Sequence, residues 1–146
     1  MLKKRLTLLA FLLAVLFSAL VAHADDPDHL VTILTSDSSE TQAMAMILTT
    51  QYVNGGGSAQ VLLCDGAAEL ALEDSDMGSE EVRPMNRSPR EMLGGLMAEG
   101  VEVQVCAIFL PNREETEDDL RDGVTVASPD AIAEAMAQPD TRLFTH

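Results

Sequence analysis

The sequence predicts a single α/β domain built on a five-stranded parallel sheet with helices on both faces. Three observations predict it. Two short runs, residues 30–35 (LVTILT) and 59–64 (AQVLLC), are almost wholly apolar, as strands are when both faces of a sheet are covered. Helical patterns with their own start signals separate successive strand patterns. Right-handed crossovers between parallel strands then lay those helices against the sheet.

The elements follow in order. After the first strand comes SDSSETQAMAMILTTQYVNGGG, where Asp37 and Glu40 have the spacing of a capping box. Ala43 to Leu48 is rich in good helix formers, and Asn54-Gly55 marks the helix end. Residues 54–57, NGGG, read as cap and turn, not as a phosphate cradle. The second strand closes at Cys64. DGAAELAL then reads as a short helical turn, and residues 73–87 as a polar loop without periodicity. Asp74, Asp76, Glu80 and Glu81 in that loop miss the spacing of a calcium-binding EF-hand and read as solvated side chains.

A second helix opens with Ser88 as N-cap, Pro89 at the first helical position and Glu91 three residues after the cap, and it stops at Gly100. In residues 101–106 Val101, Val103 and Val105 alternate with Glu102, Gln104 and Cys106, the period of a strand. Residues 112–121 read as a short acidic helix with Glu114 and Glu115 near its positive end. GVTVA is a fourth strand, Ser128-Pro129 opens a helix DAIAEAMAQ, and RLFT is a fifth strand. Met44, Met46, Met92, Met97 and Met136 sit at helical positions and read as core.

The first 24 residues fall outside this plan. Lys3, Lys4 and Arg5 precede LTLLAFLLAVLFSALVA, and Ala22-His23-Ala24 stands before Asp25. A basic start, an apolar run and an A-x-A site describe a secretory signal peptide, residues 1–24. The expectation is a mature domain of residues 25–146, periplasmic or secreted, with no membrane attachment after cleavage. Of nine basic residues three lie in the leader. Six arginines then face 24 acidic residues, a net charge of −18. Such a surface excludes nucleic acid as a partner and suits solubility in a saline exterior.

Export places Cys64 and Cys106 in an oxidising compartment. They are one bridge, a working pair or buried bystanders. Each is the last residue of its predicted strand, and in parallel α/β sheets ligands bind at the carboxyl ends of the strands. Cys106 also lies on the more polar face of its strand, which favours function over packing. The helix opening at Ser88 begins at the same edge, with Arg83, Arg87 and Arg90 clustered around it. Ser88, Arg87 and Arg90 are therefore candidate stabilisers of an anion or thiolate; the alternative is that the arginines offset the acidic loop beside them. His29 and His146 stand near the ends of the mature chain without metal-ligand spacing, and no dinucleotide or nucleotide fingerprint occurs, so neither metal nor cofactor is expected.

The texts VLLCDGAAELAL, LMAEGVEVQVCAIFL and DDLRDGVTVASPDAIAEAM resemble the DsrE/DsrF-like family, over about Leu30 to Phe144. The resemblance implies a DsrEFH-like three-layer α/β/α sandwich with strand order 4-3-2-1-5. It places the family's sulfur-carrying cysteine on Cys106, with sulfur donor and acceptor proteins or small persulfides as partners and a homo- or hetero-oligomer as the assembly. Where exported relatives often carry the second cysteine of a C-x-x-C, this chain has Phe109, so that redox motif is excluded. Three functions are weighed: an exported sulfur carrier or sulfurtransferase holding a persulfide on Cys106, a thiol–disulfide redox protein using Cys64 and Cys106, and a binding module without chemistry that relies on Phe109 and its apolar surroundings. The implied order makes the two cysteine-bearing strands neighbours. Their backbones can then fall within the Cα window of a disulfide, about 4.4–6.8 Å, whereas a one-residue offset between the strands turns one thiol to the opposite face.

Overall fold

The structure is a computed structural model and describes residues 29–146. The expected leader, its cleavage site and the expected mature start at Asp25 lie outside the described residues.

Five strands, β1 His29–Leu34, β2 Ser58–Leu63, β3 Glu102–Val105, β4 Val124–Val126 and β5 Thr141–Thr145, form one sheet in the order β4-β3-β2-β1-β5, every neighbouring pair parallel. The α/β class and the strand order are those expected. Three helices complete the domain: α1 Ser39–Asn54, α2 Pro89–Ala98 and α3 Pro129–Met136.

The order fixes the layers. The first three crossovers all step the same way, so α1, the 3₁₀ segment Asp65–Ala71 and α2 pack on one face. Only the connection from β4 to β5 runs back across the sheet, and α3 covers the other face. The main core lies under α1 and α2, where Leu34, Met46, Leu63, Leu93, Leu96 and Val105 are essentially inaccessible. The second face has a smaller cluster, Leu62, Ala127 and Ile132 with Ile33, Cys64 and Cys106. Thr32 of β1 meets Thr49 of α1 in a buried hydroxyl pair at 2.8 Å, which satisfies both polar groups inside the core.

The second helix starts as its sequence predicts. Ser88 Oγ accepts from the Glu91 amide at 3.2 Å, and the Glu91 carboxylate accepts from the Ser88 amide at 2.8 Å, a complete capping box with Pro89 at the first turn. The helix ends at Gly100 with φ 87°, where the amides of Gly100 and Val101 return to the carbonyls of Met97 and Leu96.

Four expectations are corrected. Residues 112–121 form no helix but two 3₁₀ turns, Leu110–Asn112 and Glu117–Asp119. Their backbone is drawn to residues 71–73 instead: the Arg121 amide donates to the Ala71 carbonyl and the Glu73 amide to the Asp119 carbonyl. Glu114 between the turns is left-handed at φ 60°, which a helix cannot contain. The N-cap of α1 is Ser38, with no side-chain cap, so Asp37 and Glu40 form no capping box. Met44 and Met136 are exposed at 50% and 42%, on the outer faces of their helices, while Met46 and Met92 are core. The cysteines follow their strands by one residue instead of closing them.

Candidate functional site

The carboxyl edge of the sheet is an ordered row. Leu63 of β2 is in register with Val105 of β3, and both side chains are buried in the main core. The next residue on each strand is a cysteine. The Cys64 amide donates to the Leu34 carbonyl at 2.9 Å, the Cys106 amide to the Leu63 carbonyl at 2.8 Å, and the Ala127 amide to the Val105 carbonyl at 2.8 Å. The ladder thus continues one residue past the strands. Alternation turns both thiols to the opposite face from Leu63 and Val105, toward Leu62, Ala127 and Ile132.

Equal register and a shared face bring the two side chains together. Cys64 and Cys106 form a disulfide with a Cα separation of 5.2 Å, inside the expected window. Both residues remain partly exposed. The bond is therefore packed on one side and open at the sheet edge on the other.

The two chain segments that leave this bond build the surface around it. After Cys106 the chain turns at once, the Phe109 amide donating to the Cys106 carbonyl at 2.9 Å. This turn exposes Ile108 at 74% and sends Phe109 and Leu110 into the main core. After Cys64 come Asp65, left-handed at φ 48°, and the 3₁₀ segment. A cleft of about 520 Å³ opens between the two segments. Glu69, Glu73, Asp74, Glu115, Asp118 and Asp119 line it, over the edge of Phe109. Arg113 is the one basic residue in its wall, held 2.7 Å from Glu69 and 5.0 Å from the Phe109 ring centre. Two hydrogen bonds from Thr116, backbone first and then hydroxyl, hold the Asp119 carboxyl below its ordinary pKa.

The candidate stabilisers are engaged elsewhere. Ser88 is 4% exposed and its hydroxyl is the helix cap. Arg87 donates to the Glu91 carbonyl at 3.2 Å, and Arg90 to the Glu73 carbonyl at 2.6 Å. Arg121, which the sequence reading did not single out, reaches the Leu70 carbonyl at 3.4 Å; burial, then the charge of Arg90, lowers its pKa. Arg121 thus fastens the end of the 3₁₀ segment and Arg90 the loop that follows it, while the thiols point toward Leu62, Ala127 and Ile132. Ser88, Arg87 and Arg90 thus have their hydrogen-bond partners at the helix start and in the loop before it. Arg83 is exposed on the loop.

Among the described residues no group of three or more His, Cys, Asp and Glu side chains could hold a metal ion, and no helix is long and apolar enough to cross a membrane. What the edge holds is one two-electron couple. Reduction gives two adjacent thiols, either of which can attack a disulfide or a sulfane sulfur, with the other poised to resolve the product. Sequence reasoning found both cysteines from their strand-end positions. It read Asp37 only as a helix cap, whereas the side chain lies so close to Gly66 that a Cβ there would stand 2.9 Å from the Asp37 Cβ. That proximity depends on the pairing of β1 with β2 and leaves no local signal.

No family model matches the chain, and no curated protein matches it in sequence. Solved structures do match. The YchN protein from E. coli is 20% identical with a TM-score of 0.59, over 82% of this chain and 98% of that one. MTH1491 from Methanobacterium thermoautotrophicum, a protein of unknown function, is 16% identical with a TM-score of 0.57, over 81% and 98%. The chain thus shares the fold of these two proteins, a five-stranded parallel sheet with helices.

Proposed function

We propose that the chain is an exported thiol–disulfide protein whose working centre is the Cys64–Cys106 pair. The observation that carries the reading is the 5.2 Å Cα separation of two cysteines, each one residue past its strand, bridged across neighbouring parallel strands. The pair sits at the sheet edge where α/β proteins place their chemistry. In the forward direction an incoming thiolate attacks one sulfur and the other cysteine leaves as a thiolate. A second thiolate resolves the mixed disulfide, and two electrons pass to the protein.

Sulfur relay on Cys106 is the second reading, and the resemblance of Gly100 to Cys106 to the sulfur-carrying strand of the DsrE/DsrF-like family favours it. Reduced Cys106 would attack the outer sulfur of a persulfide donor, releasing the donor thiol and leaving Cys106 as a persulfide. From there the sulfur passes to an acceptor thiol, or Cys64 attacks the Cys106 sulfur, re-forming the disulfide and releasing hydrosulfide. The disulfide is then the resting product of a relay that found no acceptor. Donor and acceptor would be persulfide or thiol proteins outside the cytoplasm. Association into an oligomer would bury apolar residues such as Met44, Leu48 and Met85, all exposed.

Intact-mass spectrometry separates the readings. Protein isolated oxidised lies about 2 Da below the dithiol mass and regains it on reduction, whereas a persulfide adds about 32 Da. Two free thiols in protein taken from an oxidising compartment, resistant to mild oxidants, would count against both and for a binding module built on Phe109.

A further inference from the structure

The Cys64–Cys106 bond lies in an acidic field. Asp65 follows Cys64 directly and is exposed. Asp37, from the segment after β1, is exposed as well and packs against Gly66, two residues beyond Cys64. Neither aspartate takes part in an ion pair: among the described residues the pairs are Arg90–Glu73 and Arg113–Glu69. On the other side of the bond Ala107 and Ile108 bring no charge. The acidic cleft begins at Phe109, three residues past Cys106. Of the six arginines among the described residues, Arg87, Arg90, Arg113 and Arg121 are committed to carbonyls or carboxylates, and Arg83 and Arg142 are exposed on the polar loop and on β5.

We propose that this field selects the thiols that exchange with the disulfide, favouring amine-bearing cationic thiols over carboxylate-bearing ones, and that Asp37 and Asp65 set the preference. The proposal rests on the thiol–disulfide reading and names its substrate class. The attacking species is the thiolate. A carboxylate thiol therefore arrives with two negative charges, a neutral thiol with one, and an aminothiol with none net. Attack by RS⁻ on Cys64 or Cys106 breaks the S–S bond, forms a mixed disulfide and expels the other cysteine as thiolate. A second RS⁻ releases RSSR, and each cysteine takes its proton from solvent. Two thiols are oxidised and one disulfide is reduced. Expulsion of the cysteine thiolate feels the field alike for every thiol, and the approach of RS⁻ differs with its charge, so the selection appears in the second-order rate constant.

The test measures reduction of the oxidised protein by cysteamine, 2-mercaptoethanol and 3-mercaptopropionate, each rate divided by that of the same thiol with hydroxyethyl disulfide. This division removes intrinsic nucleophilicity. At about 0.01 M ionic strength, where the Debye length is about 30 Å, the cysteamine to mercaptopropionate ratio is expected to be about tenfold or more. At about 1 M, where it is about 3 Å, the ratio should fall to within about twofold. Asp37→Asn with Asp65→Asn should cut the low-salt ratio by about threefold or more. Asparagine tolerates the left-handed backbone at position 65, so the fold should survive. No cationic preference at low salt overturns the proposal. A salt-sensitive preference that the double variant keeps in full overturns the assignment to Asp37 and Asp65. A disulfide that no thiol reduces, dithiothreitol included, removes the thiol–disulfide reading itself, and the inference with it.

Discussion

The Cys106 amide donates to the Leu63 carbonyl at 2.8 Å, so the β2–β3 ladder runs one step beyond its last side-chain pair and carries both cysteines with it. The bridge thus fastens the central strand β2 to its neighbour β3 at the edge where their connections diverge. It spans 42 residues of sequence, including α2 and the polar loop. Closing a loop of this size stabilises the fold by about 2–4 kcal/mol, chiefly by restricting the unfolded chain. The double variant Cys64→Ala/Cys106→Ala should therefore unfold roughly 10 °C below the oxidised protein while keeping its far-ultraviolet circular dichroism. Equal midpoints would show that the bridge contributes nothing to the fold.

Acidity should make stability depend on salt. The expected mature chain sets six arginines against 24 acids, and six carboxylates line one cleft with a single arginine. Among the described residues only Glu69 and Glu73 have an ion-pair partner. Self-repulsion of this kind is screened as the Debye length shrinks from about 30 Å at 0.01 M to about 3 Å at 1 M. The thermal midpoint should rise with NaCl over that range. A flat or falling midpoint would mean that the carboxylates do not strain the fold.

The reciprocal cap of α2 predicts a pH signature. Hydrogen bonds from Ser88, its amide first, hold the Glu91 carboxyl below its ordinary value of 4.5. A carboxylate whose pKa is depressed by folding stabilises the fold above its unfolded pKa, and that contribution is lost as pH falls through the folded value. Glu91→Ala should thus be less stable than the unmodified protein at neutral pH, with the difference shrinking below pH 4.5. Ser88→Ala should cost about 1 kcal/mol at neutral pH, because it removes the other half of the box. Denaturant unfolding at a series of pH values checks both; a Glu91 difference that stays constant to pH 2 would assign its effect to packing instead of charge.

How much of this was legible follows from which interactions are local. The apolar runs of β1 and β2, the valine alternation of β3 and the Ser88–Glu91 cap are written within a few residues of sequence, and they place both cysteines at the edge. Whether the cysteines meet depends on the Leu63–Val105 register, a pairing 42 residues apart; the family resemblance implied only that the two strands are neighbours, and neither it nor the local pattern supplied the register. The acidic segment was misread for the same reason: its charges suit a helix start, but its amides and carbonyls bond to Ala71 and Glu73, far away in sequence. Arg87 and Arg90 begin at the right edge, yet their partners at Glu91 and Glu73 draw them to the layer opposite the thiols.

The two cysteines should separate in their response to a persulfide. In the relay reading Cys106 accepts the sulfur and Cys64 removes it, so the persulfide on the unmodified protein is short-lived. Cys64→Ser deletes the resolving thiol while leaving the strand end and the Leu34 hydrogen bond of its backbone intact. Reduced Cys64→Ser treated with a small persulfide donor should hold an added mass of about 32 Da. The unmodified protein should pass to the disulfide mass, about 2 Da below the dithiol, with hydrosulfide released in equal amount. Cys106→Ser should gain no stable sulfur, and Ser is close enough in size that the edge should stay folded. If Cys106→Ser holds the sulfur and Cys64→Ser does not, the roles are reversed and Cys64 is the carrier. If neither holds it while both unmodified thiols still interconvert with the disulfide, the relay reading falls and the chain is a redox pair alone.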